Sequence, residues 1–363
     1  MLTLKILRAE HGDSILVRRF DAESKQSTNI LIDGGPRRSY QFKNSKAKIV
    51  DGALKVELDS LNGRNEKIDL LILTHVDDDH IAGIVKWLES DPSSAKNISK
   101  VWFNSGRLIS EYFASESFDN DIQIKPKSTT DTSIKQGATF ENFIEAAGIW
   151  DRRIIEAGDV FSIDDLKFYI ISPDKESLSK LLKKWEKEAP FSNTSQKINP
   201  NYKIPLRKLV ENLPSCAPDD DPHNGSSIAF ILEYKDTYIA FLADAHPGVL
   251  LKGLSLFGFN EANPANVDIV KLSHHGSCRN ISRQLIETLG ASHFIISTDG
   301  SQHGHPDKET FAQILSYANG NVTTFNINYP ELTNSIFLDE DFKDFPNLRI
   351  TDADNANVIN YDN

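Results

Sequence analysis

Apolar positions along the chain fall into short runs, alternating or continuous, that predict strands before they predict helices. Leu2 to Leu7, Ser14 to Val17 and Asn29 to Ile32 are β-type segments separated by His11-Gly12-Asp13 and a polar turn, and the third ends in Asp33-Gly34-Gly35. Residues 36–64 are polar with little periodicity and predict a surface hairpin or excursion. Leu70 to Leu73 then reads as a buried strand, followed by a helix in which Ile81, Ile84, Val85 and Leu88 recur at helical spacing. Strands at Lys100 to Asn104 and Leu166 to Ile171 flank an amphipathic helix through Phe140, Phe143, Ile144 and Ala147. Ser226 to Tyr234 and Thr237 to Leu242 alternate on either side of Lys235-Asp236, as an antiparallel hairpin does. Strands at Val267 to Leu272, His293 to Ser297 and Val322 to Ile327 alternate with helices at 281–289 and 307–318.

Two segments break this rhythm. Residues 174–220 begin with a charged helix that places Leu178, Leu181, Leu182 and Trp185 on one face, pass through a Pro- and Asn-rich stretch, and end in a second helix at Leu206 to Leu213. They read as an insertion between core strands, either a cap over a site or a passive surface elaboration. From Asp339 the chain is rich in Asp and Asn and reads as a surface or partner-facing tail. The expected organisation is one domain over residues 1–338 and a C-terminal tail over 339–363.

Composition narrows the class. Over 363 residues, 39% apolar and 25% charged positions are those of a globular protein with a real core. No stretch approaches the roughly 20 apolar residues that span a bilayer, and the N-terminus lacks the apolar segment of a signal peptide, so a cytoplasmic protein with no membrane partner is expected. Cys216 and Cys278 are too few for a disulfide framework and are expected as reduced thiols. A net charge of −12 argues against loose binding to nucleic acid, which depends on neutralising phosphates, but leaves room for a local basic groove.

The chemistry concentrates behind the Leu70 strand, where His75, Asp77, Asp78, Asp79 and His80 occupy five of six successive positions. Buried imidazoles and carboxylates so crowded repel one another unless a cation sits among them, which makes this a candidate metal site. Imidazole with carboxylate suits borderline or hard divalent ions. No serine lies in the Gly-x-Ser-x-Gly context of a serine hydrolase.

The spacing of His75, Asp77, Asp79 and His80 is HxDxDH. It resembles the HxHxDH motif of the metallo-β-lactamase superfamily, in the variant with Asp at the second position that is typical of the hydrolase domain of ComEC-type competence DNA-uptake proteins and their free-standing relatives. The resemblance implies an α/β fold, a four-layer αβ/βα sandwich of two sheets between helices. It implies metal ligation by His75, Asp77, Asp79 and His80, by Asp244 at the end of Phe241-Leu-Ala-Asp244, where Ala243 departs from the family's Gly, and by His274 of His274-His275-Gly-Ser. His275 is then a supporting or substrate contact, and Asp33 buttresses the ligand loop. Asp78 is left for helix capping or solvation. His223, in Asp221-Pro-His223-Asn224-Gly-Ser-Ser227, is either a further ligand or the neighbour of an N-x-x-S pattern beginning at Asn224, and both stay open. His303-Gly-His305-Pro resembles a G-H-P element that places His305 at the rim, able to contact a phosphate or donate a proton. Asp79 and His305 are the expected catalytic residues.

Two divalent ions, Zn or Mn, are implied, with Asp77 tilting preference toward Mn. The expected activity is phosphodiester hydrolysis by a metal-activated water, with DNA as substrate and a protein partner from a DNA-processing or defence system. The alternatives are a small-molecule phosphoesterase of nucleotide or phosphocholine type, and a non-catalytic subunit of a larger complex.

Overall fold

A computed structural model describes residues 1–116, 132–186, 199–318, 320–351 and 358–361. In chain order its strands are β1 (Leu2–Ile6), β2 (Ile15–Asp21), β3 (Gln26–Ile32), a small hairpin of β4 (Gln41–Lys43) and β5 (Ile49–Asp51), β6 (Leu70–Ile72) and β7 (Val101–Trp102). There follow β8 (Val160–Ile163), β9 (Leu166–Ser172), β10 (Ala229–Tyr234), β11 (Thr237–Phe241), β12 (Ile269–Lys271), β13 (His293–Ile296), β14 (Thr323–Ile327), β15 (Leu348–Ile350) and β16 (Val358–Tyr361). One sheet runs β16-β1-β2-β3-β6-β7 and the other β15-β14-β13-β12-β11-β10-β9-β8.

The two sheets share a plan. In the first, β1, β2 and β3 pair antiparallel before β3, β6 and β7 turn parallel. In the second, β8 to β11 pair antiparallel before β11 to β15 turn parallel. Parallel strands all discharge their loops at one edge, so polar loops after β6, β11, β12 and β13 can meet there.

Strand alternation builds the layers. Leu70 and Ile72 of β6 face inward with Phe230, Phe241 and Ile269 of the second sheet, in a core that lies between the sheets. Leu71 faces outward against a helix layer that includes Ile81, Ile84 and Leu88. On the far side, Ile231, Val270 and Phe294 pack against helices through Leu254, Leu285 and Phe311. Helix, sheet, sheet and helix are the four layers.

Several sequence expectations need correction. Within 36–64 the hairpin is present, but Ala53–Gly63 is a helix whose Leu54, Leu58 and Leu61 are buried. That apolar stripe is only three residues wide among polar neighbours, too weak a periodicity to stand out. The segment from Asp339 is no free tail. Helix Asp339–Asp344 buries Asp341 against the fully buried Lys308, β15 pairs with β14, and β16 pairs with β1. Its acidic composition hid three short elements that gain their stability from the sheets they join.

The insertion is divided between the helix layers. Leu178, Leu181 and Leu182 of helix Lys175–Glu186 join the first sheet's outer core, and Tyr202, Leu206 and Leu209 join the second's. Its Pro- and Asn-rich middle, residues 187–198, lies outside the described residues.

Candidate metal centre

The first group of donors is carried by one unit. After β6 the chain runs through Thr74 and His75 into helix Asp78–Ser90, so Asp79 and His80 sit in its first turn. The helix backbone crosses the Asp33-Gly34-Gly35 loop so closely that a Cβ on Gly83 would lie 2.1 Å from the Gly34 carbonyl oxygen. Gly34 N–H donates to the His80 carbonyl and Gly83 N–H to that of Gly35. This crossing brings Asp33 under His80. His80 Nδ1–H donates to Asp33 Oδ2 at 2.8 Å, and Asp33 also accepts from Thr74 N–H and from Thr74 Oγ1. With Nδ1 so engaged, the neutral ring turns an Nε2 lone pair inward.

The remaining donors come from the second sheet. Asp244 follows β11 and, 2% exposed, stands at the centre. Its Oδ1 is 3.5 Å from His80 Nε2, and its Oδ2 is 3.9 Å from Nε2 of both His75 and His275 and 3.8 Å from that of His274. His275 Nε2 is 3.2 Å from Asp79 Oδ2, while its Nδ1–H donates to the Ser297 carbonyl at 2.9 Å. Donor atoms of His75, His80 and Asp244, and separately of Asp79, His80 and His275, lie within 4.8 Å of one another. Donors at about 2.1 Å from a shared ion stand up to roughly 4 Å apart, so each trio is near metal-binding size.

Whether these residues fit a metal can be asked of their unmet valences. Nε2 of His75, His80, His223 and His275 and Oδ1 of Asp244 are buried with no well-aligned hydrogen-bond partner among the described residues. Several orphaned polar atoms converging on one spot would be costly in a merely structural core. They fit divalent cations.

The charges agree. Burial opposes the charged form of His80, but the carboxylates of Asp244, Asp33 and Asp79 outweigh it and hold that imidazole well above its usual range. In the same way burial is overcome at His275, pushed up to about 10 by Asp13 and Asp244. Asp244 is held well below the carboxylate range, against burial, by the neighbouring His80, His274 and His275. Carboxylate and imidazole in this cluster thus each favour the charged form of the other.

The structure separates residues that sequence ran together. Of the adjacent histidines, the sequence reading favoured His274, but it is His275 that joins a donor trio. The ring of His274 approaches Asp244 from a more exposed side, its Nδ1 facing Asn280 Oδ1 at 3.1 Å and Asp219 Oδ2 at 3.3 Å. Backbone geometry is the reason: His274 and His275 both adopt left-handed φ values, 46° and 55°, so consecutive side chains are not splayed as on a strand. Ala243 is left-handed too, at 46°, where a Cβ costs about 1–2 kcal/mol, so the departure from Gly is borne as local strain.

Asp77 Oδ1 accepts from His223 Nδ1–H at 2.8 Å, and its Oδ2 lies 3.7 Å from His75 Nε2. Asp78 turns away and accepts from Gln136 Nε2. Asn224 Nδ2 donates to Asp219 Oδ2 and lies 3.5 Å from His274 Nδ1. His305 stacks edge-on to His274 at 5.2 Å between ring centroids, with His303 6.0 Å beyond it, so three imidazoles form a row leading away from Asp244. His305 Nδ1 is 3.7 Å from Asp307 Oδ2, and burial holds its pKa below the usual value.

Residues 7–142 match the family model of the metallo-beta-lactamase superfamily. The chain's helix, sheet, sheet and helix layers are the four-layer αβ/βα sandwich expected from the sequence. Among solved structures it is similar to Zn(2+)-bound PqqB from Methylobacterium extorquens, at 13% identity over 99% of this chain and 100% of that one, with a TM-score of 0.45. It is also similar to the metallo-beta-lactamase fold protein YhfI from Bacillus subtilis, at 11% identity over 90% and 95%, TM-score 0.41. A third is CmlA, a diiron β-hydroxylase from Streptomyces venezuelae, at 12% identity over 87% of this chain but only 49% of that one, TM-score 0.39. No curated protein matches the sequence. No described helix is long and apolar enough to cross a membrane.

Four supporting features escaped the sequence reading. Cys216 and Cys278, expected as thiols, form a disulfide that ties the insertion's end to the loop after His275. Their separation of 62 residues carries no pairing signal, because only the fold brings them together. Asp219 is buried between exposed neighbours and accepts from Asn224 and Asn280. Lys271 ends an apolar strand yet is 1% exposed, a visible anomaly in the pattern. Asp13, read as part of a turn, is its partner.

Proposed function

We propose that the chain is a phosphodiesterase that cleaves DNA, with a pair of divalent ions, Zn or Mn, held by His75, Asp77, Asp79, His80, Asp244 and His275, and with His223 as a further donor beside Asp77. The observation that carries this reading is the convergence of orphaned imidazole nitrogens on Asp244 from both sheets. When bound, two such ions would lower the pKa of a water and neutralise charge on a phosphodiester in transit. Asp79 would orient that water, since its carboxylate is fixed at the helix start and faces His275. His305, kept neutral by burial and beside Asp307, would donate a hydrogen bond to the phosphate or pass a proton to the leaving oxygen. His274 and His303 on either side of it extend the row along which a polyanion would lie.

The net charge of −12 favours a second reading, a small-molecule phosphoesterase. Here the insertion would wall the pocket: Asn199 donates to Asp307, and Tyr202 Oη–H to the Pro306 carbonyl, beside His305. If DNA is the substrate, a protein partner of a DNA-processing or defence system would supply a basic surface to offset this chain's net charge of −12.

The test is metal content of the purified protein, paired with hydrolysis of bis-p-nitrophenyl phosphate and of linear single- and double-stranded DNA with added Mn²⁺ or Zn²⁺. Two ions per chain and DNA cleavage are expected. Turnover of the small diester alone would move the reading to the small-molecule enzyme, and bound metal without turnover of either would leave a non-catalytic subunit.

A further inference from the structure

Lys271 is the last residue of β12, and its Nζ lies 2.5 Å from Asp13 Oδ2 and 3.1 Å from the Leu272 carbonyl. Both side chains are almost wholly buried. A buried ion pair is a weak source of stability, because desolvating both charges offsets much of their attraction and packed apolar residues would serve as well. Its placement gives it another use. Asp13 N–H donates to the Asp79 carbonyl at 3.2 Å, and Asp13 Oδ1 faces His275 Nδ1 at 3.5 Å. Gly12 permits this approach, since a Cβ there would lie 1.9 Å from the Asp79 carbonyl oxygen. Ser297 Oγ–H donates to the Gly12 carbonyl at 3.0 Å, while the Ser297 carbonyl accepts from His275. The turn at 12–13, Asp79, His275 and Ser297 thus enclose one another, and Lys271 anchors the ring from below.

We propose that Asp13 and Lys271 are positioning residues for the Asp79–His275 side of the metal centre, setting its affinity for the second ion. The Ser297 carbonyl accepts from His275 Nδ1–H, and the Asp13 carboxylate, 3.5 Å behind the same nitrogen, adds its charge in favour of the proton there, which keeps Nε2 free and inward as groups behind metal-ligating histidines do. Lys271 fixes that carboxylate and cancels its charge, so the ring is held without a net anion being added behind it. Asp33 performs the corresponding task for His80, but with Thr74 as its anchor.

This proposal rests on the metal reading above and not on the substrate. Its test is stepwise titration of the metal-free protein with Mn²⁺ and with Zn²⁺ by calorimetry, alongside thermal unfolding of the same metal-free samples. D13A/K271M removes both charges together, so no lone buried ion is left to unfold the chain. In it the second equivalent is expected to weaken about 10- to 100-fold, with the first unchanged and the metal-free Tm near the parent's. D13N/K271M, which returns an oxygen toward His275, should regain most of the second-site affinity. A folded D13A/K271M that binds both equivalents like the parent would overturn the proposal. So would equal weakening in both double variants in step with a lowered Tm, or a parent that binds fewer than two ions. A parent that binds two ions but cleaves no phosphodiester would defeat the proposed activity and leave this inference standing.

Discussion

The two halves of the candidate metal centre are built on opposite plans. On the first sheet, His75, Asp77, Asp79 and His80 ride on one strand, one loop and the first turn of one helix, and a single backbone crossing brings Asp33 to support them. On the second, Asp244, His275 and His305 each arrive from the end of a different strand. The supports there are long-range: a buried ion pair to residue 13, a disulfide to residue 216 and the carboxylate of Asp219. Donors that are neighbours in sequence are positioned by local geometry, whereas scattered donors need connections that close long loops.

The largest effects should come from the donors themselves and decide how the second half is composed. Asp79→Ala, His80→Ala and His275→Ala are each expected to lower bound metal and to reduce diester hydrolysis by at least about a hundredfold, beyond the loss seen when only a supporting residue is changed. His274→Ala should keep both ions and lose turnover alone, because its ring faces Asp244 from the more exposed side with Asp219 behind it. Metal analysis of the four purified variants checks this. Loss of metal in His274→Ala with retention in His275→Ala would reverse the division drawn between the two histidines.

The same contrast explains what was legible in the sequence. Alternating strands and the crowded His75 to His80 stretch are local signals, so most strands and a candidate metal site could be read directly, whereas the sandwich was what the family resemblance implied. Asp244 and the His274-His275 pair were found only as motifs in order, and spacing does not encode the left-handed backbone that places His275 in a donor trio and His274 beside Asp219. The disulfide, Asp219 and the role of Asp13 depend on contacts across 62, 55 and 258 residues respectively. No periodicity reports such pairings. Lys271 was the exception, a charge inside an apolar strand that marks a buried partner without naming it. The acidic C-terminal segment misled for the converse reason: β15 and β16 are too short to announce themselves and form because an edge strand is waiting for them.

A smaller effect separates the halves by their staples. Closing a loop of 62 residues stabilises a fold by about 2–4 kcal/mol, chiefly by limiting the unfolded chain. Cys216→Ser/Cys278→Ser, or the parent in reductant, should therefore unfold several degrees lower. The loosened segment carries Asp219 and the loop after His275, so the second metal equivalent should weaken while the first, on His75 and its neighbours, holds. Calorimetric scans with and without reductant, each followed by metal titration, provide the measurement. Unchanged Tm and unchanged affinities would show that the second half stands without its covalent tie.

The smallest expected effect is a difference in slope with pH. In the metal-free protein His80 and His275 are held above their ordinary pKa, His275 at about 10, by carboxylates that outweigh burial. A histidine whose folded-state pKa is raised contributes stability that is complete below its unfolded value near 6.5 and is lost as pH rises through the folded value. Metal-free protein should therefore melt at progressively lower temperature from pH 7 toward pH 10. The loaded protein should run the other way relative to it, because metal must displace those protons and binds more tightly as they become easier to remove. Thermal scans with chelator and with Mn²⁺ across this range should give a gap in Tm that widens with pH. His275→Gln should flatten the metal-free slope by removing the group whose proton Asp13 and Asp244 hold. A metal-free protein that gains stability from pH 7 to pH 10 would mean that the carboxylates around His80 and His275 are balanced by something other than these two protons.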